Sequence, residues 1–241
     1  MRDVKIKKYL KKLDYTYVLG IYPTIEMLNV RPNSVIKVLF STKAQRSQEV
    51  TKIKQICRKL DLKYEFNDKL IGKVAHRENT YVVGVLKKYE EKLKADLNHV
   101  VLYQPSDMGN MGTIIRTMHA FDLYDLAIIR PGADIFDPRV VRSSMGSLFR
   151  IRFSYYYSFN EYKKYYKNHN YYPFLLGAKK TLEEVKFEKP YSLIFGNEGE
   201  GLSSSFKDVE NTVKIQQSAT IDSLNLAISA GIAMYKASVE N

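Results

Sequence analysis

Short runs of β-branched and apolar residues alternate with segments of helical period along most of this chain, which restricts it to a sheet layered with helices. VIKVLFS at 35–41 has strand composition. Residues 44–60 follow with Val50, Ile53, Ile56, Cys57 and Leu60 at helical spacing. A KYEF strand, a short helix over 68–76 and TYVVGVL at 80–86 complete a compact α/β unit. The charged stretch 87–98 (KKYEEKLKADLN) reads as a linker or surface helix. A second series begins at His99. Strands are expected at VVLYQ, DLAIIR, IRFSYYY, FLLGA, SLIFG and TVKIQ. Helices are expected at MGTIIRTMHAF, at DPRVVRSSMG with Asp137 as N-cap and Pro138 at its first position, and over 223–239. The expectation is a first domain over 1–90, a linker over 91–98 and a second domain over 99–241 with a mostly parallel sheet.

The charge is distributed unevenly. Residues 1–99 hold 22 Lys and Arg against 11 Asp and Glu, whereas residues 100–241 hold 16 against 15. A basic excess confined to one half is the electrostatic footprint of a polyanion partner, and nucleic acid fits it better than a membrane surface. No apolar run approaches the length of a membrane span, and the basic N-terminus lacks the apolar stretch of a secretory signal. The single cysteine, Cys57, builds neither a disulfide framework nor a zinc site, so a buried, inert thiol in a reducing cytoplasm is expected. His76, His99, His119 and His169 show no ligand spacing, and no metal is expected. The tyrosines at 155–157, 162–172 and 191 read as packing residues, with stacking on RNA bases as the alternative.

In open parallel sheets, ligands bind beyond the carboxyl ends of the strands. Three such ends carry unusual residues. In QPSDMGNMGTIIRT (104–117), Asn110 can cap a helix or face a ligand, and Arg116 stands among apolar neighbours. In LIFGNEGEGLSSS (193–205), glycines at 196, 199 and 201 permit close backbone approach. Their spacing is not that of a dinucleotide fingerprint, and the chain has no P-loop, so a P-loop NTPase is excluded and a nicotinamide oxidoreductase disfavoured. In DSLNLAISAGIAMY (222–235), Asp222 or Ser223 can cap a helix rich in small residues, which leaves Asn225 in its first turn without an evident partner.

Taken in this order, NMGTIIRT, FGNEGEGLS and DSLNLAISAGIAMY resemble the three motifs of the SpoU (TrmH-like) branch of the SPOUT RNA methyltransferases. FDPRVVRSSMGSLFR between the first two also looks like that family, and the match covers about 99–238. The front unit resembles the ribosomal-protein-L30e-like RNA-binding domain that often precedes this fold. The resemblance implies a sheet whose C-terminal part is threaded into a trefoil knot, an exception to the rule of unknotted chains. It further implies S-adenosylmethionine bound in the knot, a homodimer packed through it with each site completed by the partner, and methylation of a ribose 2′-hydroxyl in structured RNA, ribosomal ahead of transfer RNA. It places Gly196, Ile215 and Leu224 on the cofactor, with Gly177 and Ala178 lining the adenosine. Asn110, Arg116, Glu198, Ser223 and Asn225 fall on the polar positions around the reacting centre. The chain departs from the family pattern at IQQSATID, where a proline, a further apolar residue and a glycine usually follow Ile215, and at Asp122, where a glycine is common. The competing reading is an RNA-binding or ribosome-assembly protein that retains the fold without the chemistry.

Overall fold

The computed structural model describes residues 4–75 and 79–239 and resolves the chain into two compact units. The first comprises residues 1–89 together with 134–150, the second 90–133 together with 151–241. The expected boundary near residue 90 is therefore one of three chain crossings, and the stretch expected to lie wholly in the second domain contributes a segment to the first.

The first unit holds β1 (Tyr15–Leu19), α1 (Ile21–Val30), β2 (Val35–Phe40), α2 (Gln48–Lys59), β3 (Tyr64–Phe66), α3 (Asp68–Val74) and β4 (Val82–Lys87). Its sheet has the order β1-β4-β2-β3, antiparallel except for the β2–β3 pair. Alternate residues of these strands, including Tyr17, Leu39, Val83 and Val85, close a core with Ile71 and Val74 of α3. Ser47 and Asn67 cap α2 and α3 through their side chains. The helix expected over 68–76 ends at Val74, and His76 lies outside the described residues. Cys57 is fully buried, and burial pushes its thiol up to about 11, which leaves it protonated and inert at neutral pH.

Residues 134–150 belong to this unit for identifiable reasons. They carry α5 (Pro138–Ser143), capped by Asp137 as its sequence predicts. The Thr16 hydroxyl donates to the Phe136 carbonyl at 2.5 Å, Arg31 Nε to the Phe149 carbonyl at 2.8 Å, and the Tyr89 hydroxyl to the Leu148 carbonyl at 3.1 Å. Val140, Val141, Leu148 and Phe149 are fully buried.

The second unit is built on five parallel strands in the order β7-β6-β5-β10-β8. These are β5 (His99–Tyr103), β6 (Asp125–Ile129), β7 (Arg152–Tyr156), β8 (Asn170–Pro173) and β10 (Tyr191–Phe195). Central strands buried on both faces read as continuous apolar runs, as VVL, LAII and LIF do here. Two short strands, β9 (Lys180–Thr181) and β11 (Val213–Lys214), pair separately. The helices are α4 (Met108–Ala120), α6 (Phe159–Tyr165) and α7 (Leu226–Val239), with α4 packed on α7. The strand expected at FLLGA lies earlier, at 170–173, where the register pairs Tyr191 with Asn170. Asp122, in the place of the family's glycine, has φ of 55°, the left-handed conformation that ends α4 and that glycine adopts without strain.

One paired row at the amino edge of this sheet is polar: Ser192, His99, Asp125 and Arg152 lie side by side. Arg152 makes a forked pair with the buried Asp125 carboxylate, through Nε at 2.8 Å and Nη2 at 2.5 Å. His99 and His169, far apart in sequence, meet here with ring centroids 4.4 Å apart. Every ring nitrogen of the two has a protein partner: Tyr162, Ser192 and the carbonyls of Lys94 and Ala95. Burial lowers both pKa values, that of His99 to about 4. The same row explains why 87–98 is neither a helix nor a free linker. Leu93 is buried in the core, and the backbone at 94–95 satisfies Asp125 and both histidines.

Truncating Phe149 should identify the unit to which 134–150 belongs. Phe149→Ala is expected to cost about 3 kcal/mol or more. In native-state hydrogen exchange, the amides of β1 and β4 should lose protection while those of β5 and β6 keep theirs.

Candidate active site

Because the five strands run the same way, the loops after β5 and β10 leave from one edge of the sheet, and the segment leading into α7 joins them there. The first loop sets up α4. The Asp107 carboxylate accepts the Asn110 N–H at 2.7 Å and is the N-cap, so the helix starts at Met108 rather than at the expected 111. Asn110 is therefore not the cap, and its side-chain amide is free for other partners.

Those partners come from the other two loops. Asn110 Nδ2 donates to Glu198 Oε1 at 3.3 Å, and Asn225 Nδ2 donates to Asn110 Oδ1 at 3.0 Å. Glu198 also accepts the Ser106 N–H at 3.0 Å, the Ser106 hydroxyl at 2.7 Å and the Asp107 N–H at 3.1 Å. Its carboxylate thus sits at the amino end of a 13-residue helix, where negative charge is favoured. Burial raises the Glu198 pKa, but the hydrogen bonds from Ser106 and Asp107 outweigh it, and the net shift is downward. Asn225 Oδ1 in turn accepts the N–H groups of Ala227 at 2.8 Å and Ile228 at 3.3 Å. Asn225 is the cap of α7, in place of the expected Asp222 or Ser223, and the helix begins at Leu226.

The glycine-rich loop is held by its own backbone. Asn197 and Gly201 exchange N–H···O=C bonds at 3.1 and 3.0 Å. Asn197 Oδ1 accepts the Gly199 N–H at 2.8 Å, and Asn197 Nδ2 donates to the Gln104 carbonyl at 2.6 Å. A Cβ on Gly196 would lie 2.1 Å from the Gly201 carbonyl carbon and 2.3 Å from the Leu202 nitrogen. Gly196 is therefore required by backbone packed on backbone inside the loop. Gly201 has φ of 68°, in the left-handed region.

These segments enclose a cavity of about 580 Å³. Seven of the ten site residues expected from sequence line it: Asn110, Gly196, Glu198, Ile215, Ser223, Leu224 and Asn225. The other three do not. Gly177 is exposed and Ala178 buried, and that segment faces the cavity through Leu175 and Leu176 instead. Arg116 is exposed on α4 outside the cavity, without a hydrogen-bond or ion-pair partner among the described residues. Sequence reasoning missed Ser106, Asn197 and Gln217, the last two of which also line the cavity. Ser106 and Asn197 carry a recognisable signal, a hydroxyl just before a helix cap and an Asn opening a glycine turn. Among the described residues no group of His, Cys, Asp and Glu could hold a metal ion, and no helix is long and apolar enough to cross a membrane.

The family model for SpoU rRNA methylases matches residues 98–235. An uncharacterized tRNA/rRNA methyltransferase of Synechocystis is 34% identical over 57% of this chain, and the match spans only 52% of that relative. A putative tRNA (cytidine(34)-2′-O)-methyltransferase of Listeria monocytogenes is 32% identical over 58% of this chain and 86% of its own. The crystal structure of an AdoMet-bound rRNA methyltransferase from Sinorhizobium meliloti superimposes with a TM-score of 0.78 at 24% identity, over 93% of this chain and 87% of that one.

Substitutions at two positions separate scaffold from site. Gly196→Ala should cost about 1–3 kcal/mol in urea unfolding, because the Gly201 backbone has to move. Asn225→Ala should cost about 1 kcal/mol through loss of the α7 cap. Asn225→Asp should keep the cap and most of that stability, while its carboxylate opposes Asn110 Oδ1 and breaks the link between loops.

Proposed function

The chain belongs to the SpoU rRNA methylase family, and on that premise we propose that it transfers a methyl group from S-adenosylmethionine to a ribose 2′-hydroxyl of RNA. The observation that carries this reading is the hydrogen-bond chain Glu198–Asn110–Asn225, which ties the three motif loops together at the wall of one cavity.

The residues present suit the cofactor. Leu175, Leu176, Ile215 and Leu224 offer apolar walls for an adenosine, and Glu198, Asn110, Asn225 and Gln217 offer polar groups for the amino-acid end. When bound, S-adenosylmethionine supplies the methyl electrophile on its sulfonium. The protein supplies orientation and electrostatics. Ionised Glu198 fixes the position of α4 and of the Asn110 amide. Convergence of the backbone at 196–202, 213–217 and 222–226 on the cavity fits the knotted C-terminal fold of this family.

Arg116 belongs to the reacting centre of a second copy. It stands outside its own cavity, and α7 beside it carries an apolar stripe: Ile228, Ile232, Tyr235 and Val239 are 54%, 38%, 58% and 60% exposed. Four such residues at spacings of four, three and four on one helix face suit a homodimer packed through α7. A guanidinium is hardly ever deprotonated, so Arg116 acts as a planar fork that orients a phosphate and stabilises the developing alkoxide, while an RNA phosphate or water accepts the proton. The basic front unit, read as L30e-like, supplies phosphate contacts. Ribosomal RNA is favoured over transfer RNA because the two-unit architecture is shared over 93% of the chain with a structure described as an rRNA methyltransferase, whereas the tRNA relative aligns with only 58%. A cytoplasmic location suits an RNA substrate and the lone reduced thiol.

Calorimetric titration of the full chain with S-adenosylmethionine tests the reading. Saturable binding is expected, and it should weaken at least tenfold in Asn225→Asp. Failure of the wild type to bind, with RNA bound normally, would leave the non-catalytic RNA-binding alternative. With tritiated cofactor, label should enter ribosomal RNA in nucleotides resistant to alkaline cleavage. Arg116→Lys should lose most of the rate while keeping cofactor affinity, and a near-full rate would refute the forked role. Ile232→Lys should convert a dimer to a monomer in sedimentation and abolish transfer.

A further inference from the structure

The carboxyl ends of β6 and β7 carry a cluster that the reaction as described does not use. Arg130 follows β6, and its guanidinium lies 4.8 Å from the centroid of the Tyr155 ring and 5.6 Å from that of Tyr157. Tyr157 is 80% exposed, the most open of the large apolar and aromatic side chains among the described residues. Arg130 is exposed and has no carboxylate partner among the described residues. An aromatic face and an unpaired cation left open together in water bury little apolar surface of their own.

The cluster is nonetheless held in place. The Tyr155 hydroxyl donates to the Ala133 carbonyl at 3.1 Å. The Arg130 N–H donates to the Tyr156 carbonyl at 2.8 Å. Ser158 Oγ accepts the Glu161 N–H at 3.1 Å while Glu161 Oε2 accepts the Tyr157 N–H at 2.6 Å, a reciprocal cap that fixes the Tyr157 backbone. A continuous backbone ladder joins it to the active site. The Gln104 N–H donates to the Ile129 carbonyl at 3.0 Å, the Ala133 N–H donates to the Pro105 carbonyl at 2.8 Å, and Ser106 holds Glu198. Two strand spacings, about 10 Å, separate β7 from β5 on this edge.

We propose that Tyr157 and Arg130 form a stacking platform for an unpaired nucleobase of the RNA substrate, flanking the nucleotide that enters the active site. The proposal rests on the RNA-methyltransferase reading above. The chemistry of the pair matches its occupant: an exposed aromatic face takes any base, and a guanidinium without a carboxylate is available to the adjoining phosphate. Such a platform selects for RNA that is single-stranded beside its target, which is how proteins commonly distinguish one RNA site from the surrounding duplex. The front unit then contributes general affinity, and the platform contributes the position of the strand.

The test uses the full chain and a 12-nucleotide single-stranded RNA carrying one 2-aminopurine, whose fluorescence falls when the base stacks. The wild type and Tyr157→Phe should bind with quenching. Tyr157→Ala should lose the quenching and bind about tenfold more weakly, with S-adenosylmethionine affinity unchanged. Arg130→Ala should lower the slope of binding against salt by about one phosphate contact. If Tyr157→Ala still quenches, binds and supports methylation like the wild type, the platform is refuted while the enzymatic reading stands. If Tyr157→Ala instead dissociates an oligomer in sedimentation, the surface is a protein contact and the proposal is also refuted. If the wild type binds cofactor but no RNA, the failure lies in the RNA reading itself and takes the platform with it.

Discussion

Five strands running in the same direction impose a division of labour on the second unit. Every amino end lies on one edge and every carboxyl end on the other. At the amino edge Ser192, His99 and Asp125 are buried, Arg152 beside them is half-buried, and all four have hydrogen-bond partners. At the carboxyl edge the polar residues face a cavity, and side chains of the same loops, Asp107 and Asn225, cap the helices that follow. The cavity and its polar lining lie on the second edge.

The carboxyl edge shows how few side chains are needed to unite loops far apart in sequence. Asn225 caps α7 with its oxygen and reaches Asn110 with its nitrogen. Asn110 passes the contact to Glu198, which is itself held by the amino end of α4. An amide can do this because it carries a donor and an acceptor on one planar group. Aspartate or serine would serve as a cap equally well but could not bridge in the same sense. The two amides therefore join the loops and line the cavity at once.

Much of this was legible in the sequence. Apolar periodicity located most strands and helices of both units, and three ordered loops identified the family and seven residues of the cavity wall. What escaped has physical causes. β1 and α1 were hidden behind the basic N-terminal run, although Pro23 sits only in the first turn of α1, where no helical N–H is required. The caps were assigned to neighbours because Asp107, Asn110, Ser223 and Asn225 are all competent, and the choice among them is made by hydrogen bonds across more than eighty residues of chain. FLLGA is more apolar than NYYP, but pairing with β10 selected the latter. Gly177 and Ala178 were carried over with that misplaced strand, and the cavity took Leu175 and Leu176 instead.

The segment 134–150 has a consequence for the order of events during synthesis. The first unit cannot be completed when residue 89 leaves the ribosome, because Phe136, Val140, Leu148 and Phe149 are part of its interior and have not yet been made. The intervening 90–133 must emerge first, and they carry β5, α4 and β6 of the other unit. Folding that proceeds domain by domain from the N-terminus is thus denied to this chain. Its two halves mature as interleaved partners, and a gene cut or fused near residue 90 would deliver two incomplete modules.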